Sequence, residues 1–364
     1  MLKLMRAPSK YVQGPDSLYQ LYDEVKDLGK NFLFICSKSG CKAAKPKIEK
    51  SFAGKDAKLH FEIFGGKSSS GEIKKMQKIA QDGNFDVICG IGGGSAIDTA
   101  KATAYYEHLP VVVIPTVCAT DAPCTGLSVI YNDNGTFGSY LFYPKNPDAV
   151  IVDSRIIVNA PVRFLVAGMG DALGTYFEAR MCEKTNAPSL ENGGISKSAM
   201  ALCKLCWETL KEDGFEAKKS AELGVLTPAF EAIVEANTYL SGVGADNGGL
   251  ATAHSVYNGF TALTECEKVM HGELVAFGTL TQLVLEDAPA DEKEQVMDFC
   301  VSVGLPITLE RIGVTDISRV RVAAEKACAP GESIHNMLGD VTPEQLYSAI
   351  LTADALGKDF LGEN

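Results

Sequence analysis

Histidine is scarce in this sequence, with five residues, and two of them keep unusual company. His254 sits in GGLATAHSVYNGFTAL and His271 in KVMHGELVAFGTL. Both runs are rich in small residues, compatible with helix and nearly free of other charge. A histidine on such a face is commonly a hydrogen-bonded core residue. An imidazole nitrogen is also the commonest side-chain ligand for a transition metal. Asp171, in AGMGDALGTYFEA, is the third residue of interest, an acid flanked by glycines at an apparent helix start. It reads either as an ordinary first-turn carboxylate or as an oxygen ligand. Two imidazoles and one carboxylate make a donor set that leaves a fourth position open, the arrangement of catalytic rather than structural zinc. Spacing alone cannot choose between these readings, because the three residues are spread along the chain.

A second stretch carries different chemistry. Asp86 to Lys101 reads DVICGIGGGSAIDTAK. A short apolar run leads into Gly90, Gly92, Gly93 and Gly94, and Ser95 to Lys101 reads as the start of a helix. Glycine lets an anion approach the backbone closely. A helix start adds unpaired N–H groups and partial positive charge. Together they form a cradle for a phosphate-bearing ligand, with a dinucleotide the foremost candidate. The pattern is neither GxGxxG nor GxxxxGK[ST]. A third dense stretch, PTVCATDAPCTG from Pro115 to Gly126, follows an apolar run, and Asp121 is its only charge. That aspartate reads as a turn stabiliser or as a carboxylate placed to bind a hydroxyl.

The elements that must carry these residues fall into two halves. Asn31–Cys36, Leu59–Phe64, Val87–Cys89, Pro110–Ile114 and Ala149–Val152 read as strands, with helical segments at 17–28, 42–51, 70–82 and from Ser95 to Glu107 between several of them. Alternation of this kind predicts parallel βαβ units in an open α/β sheet. Such sheets bind ligands at the carboxyl ends of their strands. Ser128–Tyr131 and Ser139–Tyr143, around Asn132-Asp133-Asn134-Gly135, predict a hairpin. Tyr11 and Val12 suit an edge strand. Beyond Asn159 the spacing becomes helical, with expected breaks that include 192–194 and Gly242 to Gly249. The expected division is therefore an α/β dinucleotide-binding domain over 1–160 and an all-α domain over 161–364.

Bulk properties narrow the function. The chain has 364 residues and a formal net charge of −12, which argues against a nucleic-acid partner. No apolar run reaches the ~18 residues of a membrane span, and MLKLMRAPSKYVQGP lacks a signal-peptide core. Eleven irregularly placed cysteines suit a reducing compartment, so the expectation is a cytoplasmic protein. The lone CxxC, Cys203 to Cys206, lies on a helical pattern and does not read as a zinc ribbon.

Five motifs occur together in order: GGGSAIDTAKA, IPTVCATDAP, GMGDALGTYFEA, TAHSVYNGF and HGELVAFGTLTQLVLE. With them the chain resembles the glycerol dehydrogenases, a branch of the iron/zinc-dependent polyol (alcohol) dehydrogenase family whose fold is shared with dehydroquinate synthase. The resemblance covers essentially the whole chain. It implies a metal-dependent oxidoreductase that moves a hydride between a small alcohol or ketone and NAD or NADP, with zinc or iron held by Asp171, His254 and His271. It implies that Gly93, Gly94 and Ser95 take the cofactor pyrophosphate with Asp98 nearby. Thr116 and Ala119 would line the same pocket, Thr125, Leu127 and Tyr131 would flank the nicotinamide, and Asp121 would contact substrate. It also implies a homo-oligomer. Where NAD-using members commonly carry an acid after the second strand, this chain has Ser37 and Lys38, which leaves room for the 2′-phosphate of NADP. Many relatives have lysine in place of Ser95 and serine in place of Ala119, and some have histidine in place of Tyr257. Alternative activities within the group are a 2-hydroxy acid or ketone reductase and a glycerol-1-phosphate dehydrogenase. The latter needs a cationic subsite, for which Arg163, Arg180 and Lys184 are candidates. A non-catalytic sensor of the cofactor is the alternative from another class.

Overall fold

The computed structural model describes residues 1–363 and divides into two compact units. One comprises Arg6–Phe164 and Ser220–Gly242; the other comprises Met1–Met5, Leu165–Lys219 and Val243–Asn364. This partition differs from a single cut after residue 160, because the helical segment Ser220–Gly242 returns to the α/β unit.

The first unit is built on eight strands: β1 Tyr11–Gly14, β2 Asn31–Cys36, β3 Lys58–Ile63, β4 Val87–Gly92, β5 Val111–Pro115, β6 Leu127–Tyr131, β7 Phe137–Phe142 and β8 Ala149–Asp153. Six form a parallel sheet in the order β1-β8-β5-β4-β2-β3. Strands β4, β5 and β8 are buried throughout, as expected where both faces of a parallel sheet are covered. The expected edge strand and hairpin are present; β6 and β7 pair antiparallel with a register shift at Ile130/Tyr131.

Helices α1 Leu21–Val25, α2 Lys38–Ser51, α3 Ser70–Asp82, α4 Gly94–Glu107 and α5 Ser154–Ile157 complete the α/β alternation. The chain passes from β2 out to β3, then crosses back to β4 on the far side of β2. The direction of winding therefore reverses between β2 and β4, the place where open sheets form a ligand crevice. On one face, Phe32, Phe34, Cys36, Val87, Cys89 and Ile91 pack with Ala44, Ile48 and Phe52. On α4's side, a Cβ on Gly90 would lie 2.7 Å from the Ala100 Cβ, so the missing side chain lets α4 settle on β4.

Two local expectations need correction. The helix expected over 17–28 is a 3-10 turn, Ser17–Gln20, followed by the short α1. Ser17 Oγ donates to Val152 O and the N–H of Asp16 donates to Asp153 Oδ1, which tightens the first turn. Helix α2 starts at Lys38 rather than Lys42 because Ser37 caps it, accepting the Gly40 N–H at 3.1 Å.

The second unit is mainly helical. Its principal elements are α6 Val162–Thr185 and α7 Lys197–Leu223, both shared in part with the first unit, then α10 Thr252–Phe260, α11 His271–Leu285, α12 Ala290–Val303, α13 Val320–Ala327 and α14 Pro343–Leu361. Between α7 and α10 lie α8 Pro228–Glu235, a π-turn at Ala236–Leu240 and α9 Ser241–Gly248. The break expected at Gly242 to Gly249 is thus mostly helix. A Cβ on Gly244 would lie 2.7 Å from Thr175 Cγ2, and one on Gly248 would lie 2.6 Å from Ala179 Cβ. These glycines permit close helix packing, and the actual stop is Gly249, with φ of +82°. No helix among the described residues is long and apolar enough to cross a membrane.

Candidate metal centre and phosphate cradle

Backbone glycines bring the metal-site helices together. A Cβ on Gly272 would lie 1.7 Å from Ala167 O, and one on Gly170 would lie 2.2 Å from Gly272 O. Helices α6 and α11 therefore cross backbone to backbone at this point. A Cβ on Gly278 would lie 2.4 Å from Ala253 O, so α10 and α11 are equally close. Asp171 follows Gly170 and His271 precedes Gly272, so the α6–α11 crossing itself sets carboxylate against imidazole. Asp171 lies in the interior of α6 and not at a helix start, which removes its reading as a first-turn carboxylate. Gly170, one of the flanking glycines that suggested a helix start, is contact surface for α11.

His271 Nε2 lies 2.8 Å from Asp171 Oδ1, and His254 Nε2 lies 3.4 Å from the same oxygen. One ligand atom from each of the three residues falls within 4.8 Å of the others. Asp171 is buried, while the two histidines are partly accessible. Burial by itself would raise the Asp171 carboxyl, but His271 and then His254 outweigh it and hold it below the usual carboxylate range. Burial disfavours a charged His254, yet Glu178 and Asp171 push its pKa above the ordinary imidazole value. Two nitrogens and one carboxylate oxygen converging on one point match the donor set of a catalytic divalent-ion site. The residues present therefore fit a metal.

The shell behind them was not foreseen. Glu178 Oε2 lies 2.5 Å from His254 Nδ1, and the Tyr257 ring meets His271 edge-on with centroids 4.1 Å apart. A signal for Glu178 existed: it stands two helical turns after Asp171, hence on the same face. Tyr257 packs against an imidazole, and its ring braces His271.

The phosphate cradle lies in the other unit. Gly93 is the N-cap of α4 and brings no side chain to the cap, so first-turn N–H groups are left for a ligand. The three successive glycines differ in what they do. Gly92, with φ of +150°, has Ala96 Cβ and Ser37 Oγ each 2.8 Å from a would-be Cβ, so the fold itself requires glycine there. At Gly94 the nearest atom, Thr120 Oγ1, is 3.8 Å away. Space beside that N-terminus is unfilled by protein, and the cradle fits a phosphate. Ser37 donates its N–H to Ile91 O, which sets it next to Gly92 where the sheet reverses. Thr116, just past the end of β5, donates its N–H to Gly92 O.

Asp98 is buried, and its carboxylate is engaged by the hairpin: Val129 N–H reaches Oδ2 at 3.3 Å and Lys101 Nζ lies 3.4 Å from Oδ1. Lys101, only 2% exposed, also donates to Ala122 O at 2.9 Å, to Thr125 Oγ1 at 3.3 Å and to Leu127 O. This buried cation, unremarked as a working residue in the sequence, fastens α4 to the loop that carries Thr125 and Leu127. Tyr131 ends β6, with its N–H on Ser68 O. Replacing Lys101 with Met should leave Asp98 buried without its cation and cost about 3 kcal/mol, read as a lowered denaturant midpoint.

Asp121 sits in the loop after β5 and accepts a 3.3 Å hydrogen bond from Ser241 Oγ at Oδ2. The loop is held from behind by the π-turn region, where Asn237 Nδ2 donates to Cys118 O at 3.2 Å. A Cβ on Gly242 would lie 2.8 Å from Asp121 O. Ala119 belongs to the same loop. These supports stand more than a hundred residues away in sequence, and no local pattern announces them.

A sequence model of iron-containing alcohol dehydrogenases matches residues 8–154. Glycerol dehydrogenase of Citrobacter freundii is 49% identical over 99% of this chain and 100% of its own. Glycerol dehydrogenase of Thermotoga maritima is 44% identical over 96% of each. The crystal structure of glycerol dehydrogenase from Schizosaccharomyces pombe superposes with a TM-score of 0.95 at 37% identity, covering 99% of this chain and 92% of that one. The fold and these relations define an alcohol dehydrogenase, an enzyme acting on CH–OH groups. The chain belongs to the iron-containing alcohol dehydrogenase family, as the five motifs implied.

Proposed function

We propose that this enzyme catalyses the reversible oxidation of a small vicinal polyol, glycerol to dihydroxyacetone in the simplest case, with NAD or NADP as hydride acceptor. The observation that carries the reading is the convergence of Asp171, His254 and His271 on one point. A divalent ion there, zinc or iron, would act as Lewis acid on the substrate hydroxyl. NAD or NADP would supply the hydride-accepting chemistry, with the hydroxyl proton released to water.

The chain's own residues bind and orient. Asp171, His254 and His271 hold the ion. The N–H groups at Gly93, Gly94 and Ser95 receive the pyrophosphate, with Thr116 and Ala119 beside it and Thr125, Leu127 and Tyr131 toward the nicotinamide. Asp121 accepts a hydrogen bond from a substrate hydroxyl. Asp98 acts from behind, by fixing α4 to β6. Arg180, one of the three candidate cations for a phosphorylated substrate, is engaged by Glu286 and Glu292. The chemistry suits a cytoplasmic homo-oligomer, and the eleven cysteines, all free, support a reducing compartment.

The test is metal analysis together with nicotinamide absorbance across glycerol, other vicinal diols, 2-hydroxy acids and glycerol 1-phosphate. Vicinal diols should turn over fastest, and chelation should abolish the signal. Turnover confined to 2-hydroxy acids, or none with metal bound, would overturn the reading. The same assay addresses the cofactor. Ser37 spends no carboxylate on the ribose and Lys38 is exposed, so measurable kcat/KM with NADP is expected alongside NAD. A strict preference for NAD would remove that part.

A further inference from the structure

Helix α10 begins without a cap of its own. Its N-cap is Ala251, whose side chain has no acceptor. Four N–H groups at this end need partners, and two side chains from neighbouring helices supply them. Glu178 Oε1, on α6, accepts the N–H groups of Ala251 and His254, each at 2.9 Å. Gln282 Oε1, on α11, accepts those of Thr252 at 3.0 Å and Ala253 at 3.3 Å. Both acceptors are fully buried. The start of α10 is thus tied to the two helices that carry Asp171 and His271.

Glu178 does more than cap. Its second oxygen, Oε2, faces His254 Nδ1 at 2.5 Å. A carboxylate there requires a proton on Nδ1. That leaves Nε2, the nitrogen beside Asp171, with its lone pair for an ion. Among the described residues His271 shows no such carboxylate behind it, and it is braced by the Tyr257 ring.

We propose that Glu178 is a positioning residue that selects the metal-binding tautomer of His254 while capping α10 from outside. The proposal rests on the metal reading above. A glutamine at this place has one acceptor oxygen where glutamate has two. If that oxygen serves the two backbone N–H groups, an NH2 faces Nδ1 and drives the imidazole proton onto Nε2.

The experiment is a Co(II) titration of the metal-free full chain, followed by d–d absorption, with thermal melts of the metal-free and Co(II)-loaded forms. Glu178→Gln should lower Co(II) affinity about 10- to 100-fold and shrink the rise in melting midpoint that Co(II) confers. A carboxylate that only caps would lower both melts equally and leave affinity unchanged. Wild-type affinity and band positions in Glu178→Gln overturn the proposal and leave the metal reading standing. A wild-type chain that takes up no Co(II) overturns both. If Glu178→Gln melts too low to titrate, Glu178→Asp replaces it: weakened Co(II) binding in a folded chain supports the proposal, and undiminished binding overturns it.

Discussion

Replacing His271 with alanine should abolish metal retention and turnover together. The imidazole makes the shortest approach to Asp171, and without it only one nitrogen and one carboxylate oxygen converge. A two-donor site holds a divalent ion weakly. Loss of Lewis-acid assistance worth several kcal/mol should lower kcat/KM by about 10³-fold or more. The fold should survive the change. His271 is the first residue of α11, and the Met270 N–H at that end is taken by Glu273 Oε2 at 2.8 Å. Metal content after dialysis and the nicotinamide assay are the measurements. A variant that keeps both a full complement of metal and its activity removes His271 from the ligand set.

Gly272→Ala should be nearly as damaging, by a different route. The new methyl would sit 1.7 Å from Ala167 O and 2.8 Å from Asp171 N. Both are backbone atoms within α6, so no side chain can swing aside. The helices must separate, and overpacking of this kind costs about 3 kcal/mol. Separation also draws His271 away from Asp171. The expected result is a lowered unfolding midpoint together with weakened metal binding, from one methyl group that meets only the backbone of α6. Unchanged stability would mean that the α6–α11 crossing is looser than its glycines imply.

These two residues mark where the sequence was readable. Strand β2 and helix α3 were legible to the residue, because apolar runs and amphipathic spacing have few competing explanations. The hairpin followed from Asn134-Gly135. Glycine misled where it was used for contact rather than for turning. Gly170 made Asp171 look like a helix start, and Gly242 to Gly249 looked like a break, though only Gly249 ends the helix. A glycine that lets two helices touch and one that ends a helix are the same letter. The partner that tells them apart lies far along the chain. The ligand set was open to pattern and named only through the family motifs, since its members sit on three helices. Glu178 and Lys101 were present in quoted motifs, but an acid or a lysine within a helix is ordinary until its buried partners are known.

The return of Ser220–Gly242 to the α/β unit bears on how the protein is made. Tyr11 Oη is 2.7 Å from Thr238 Oγ1, and Gln13 Nε2 donates to Glu231 O at 2.8 Å, so the first strand waits for partners encoded more than two hundred residues later. During synthesis, at roughly 5–20 residues per second, the α/β unit stays unfinished for many seconds after its last strand has left the ribosome. A gene truncated after Phe164 would yield that unit without the partners of Tyr11 and Gln13.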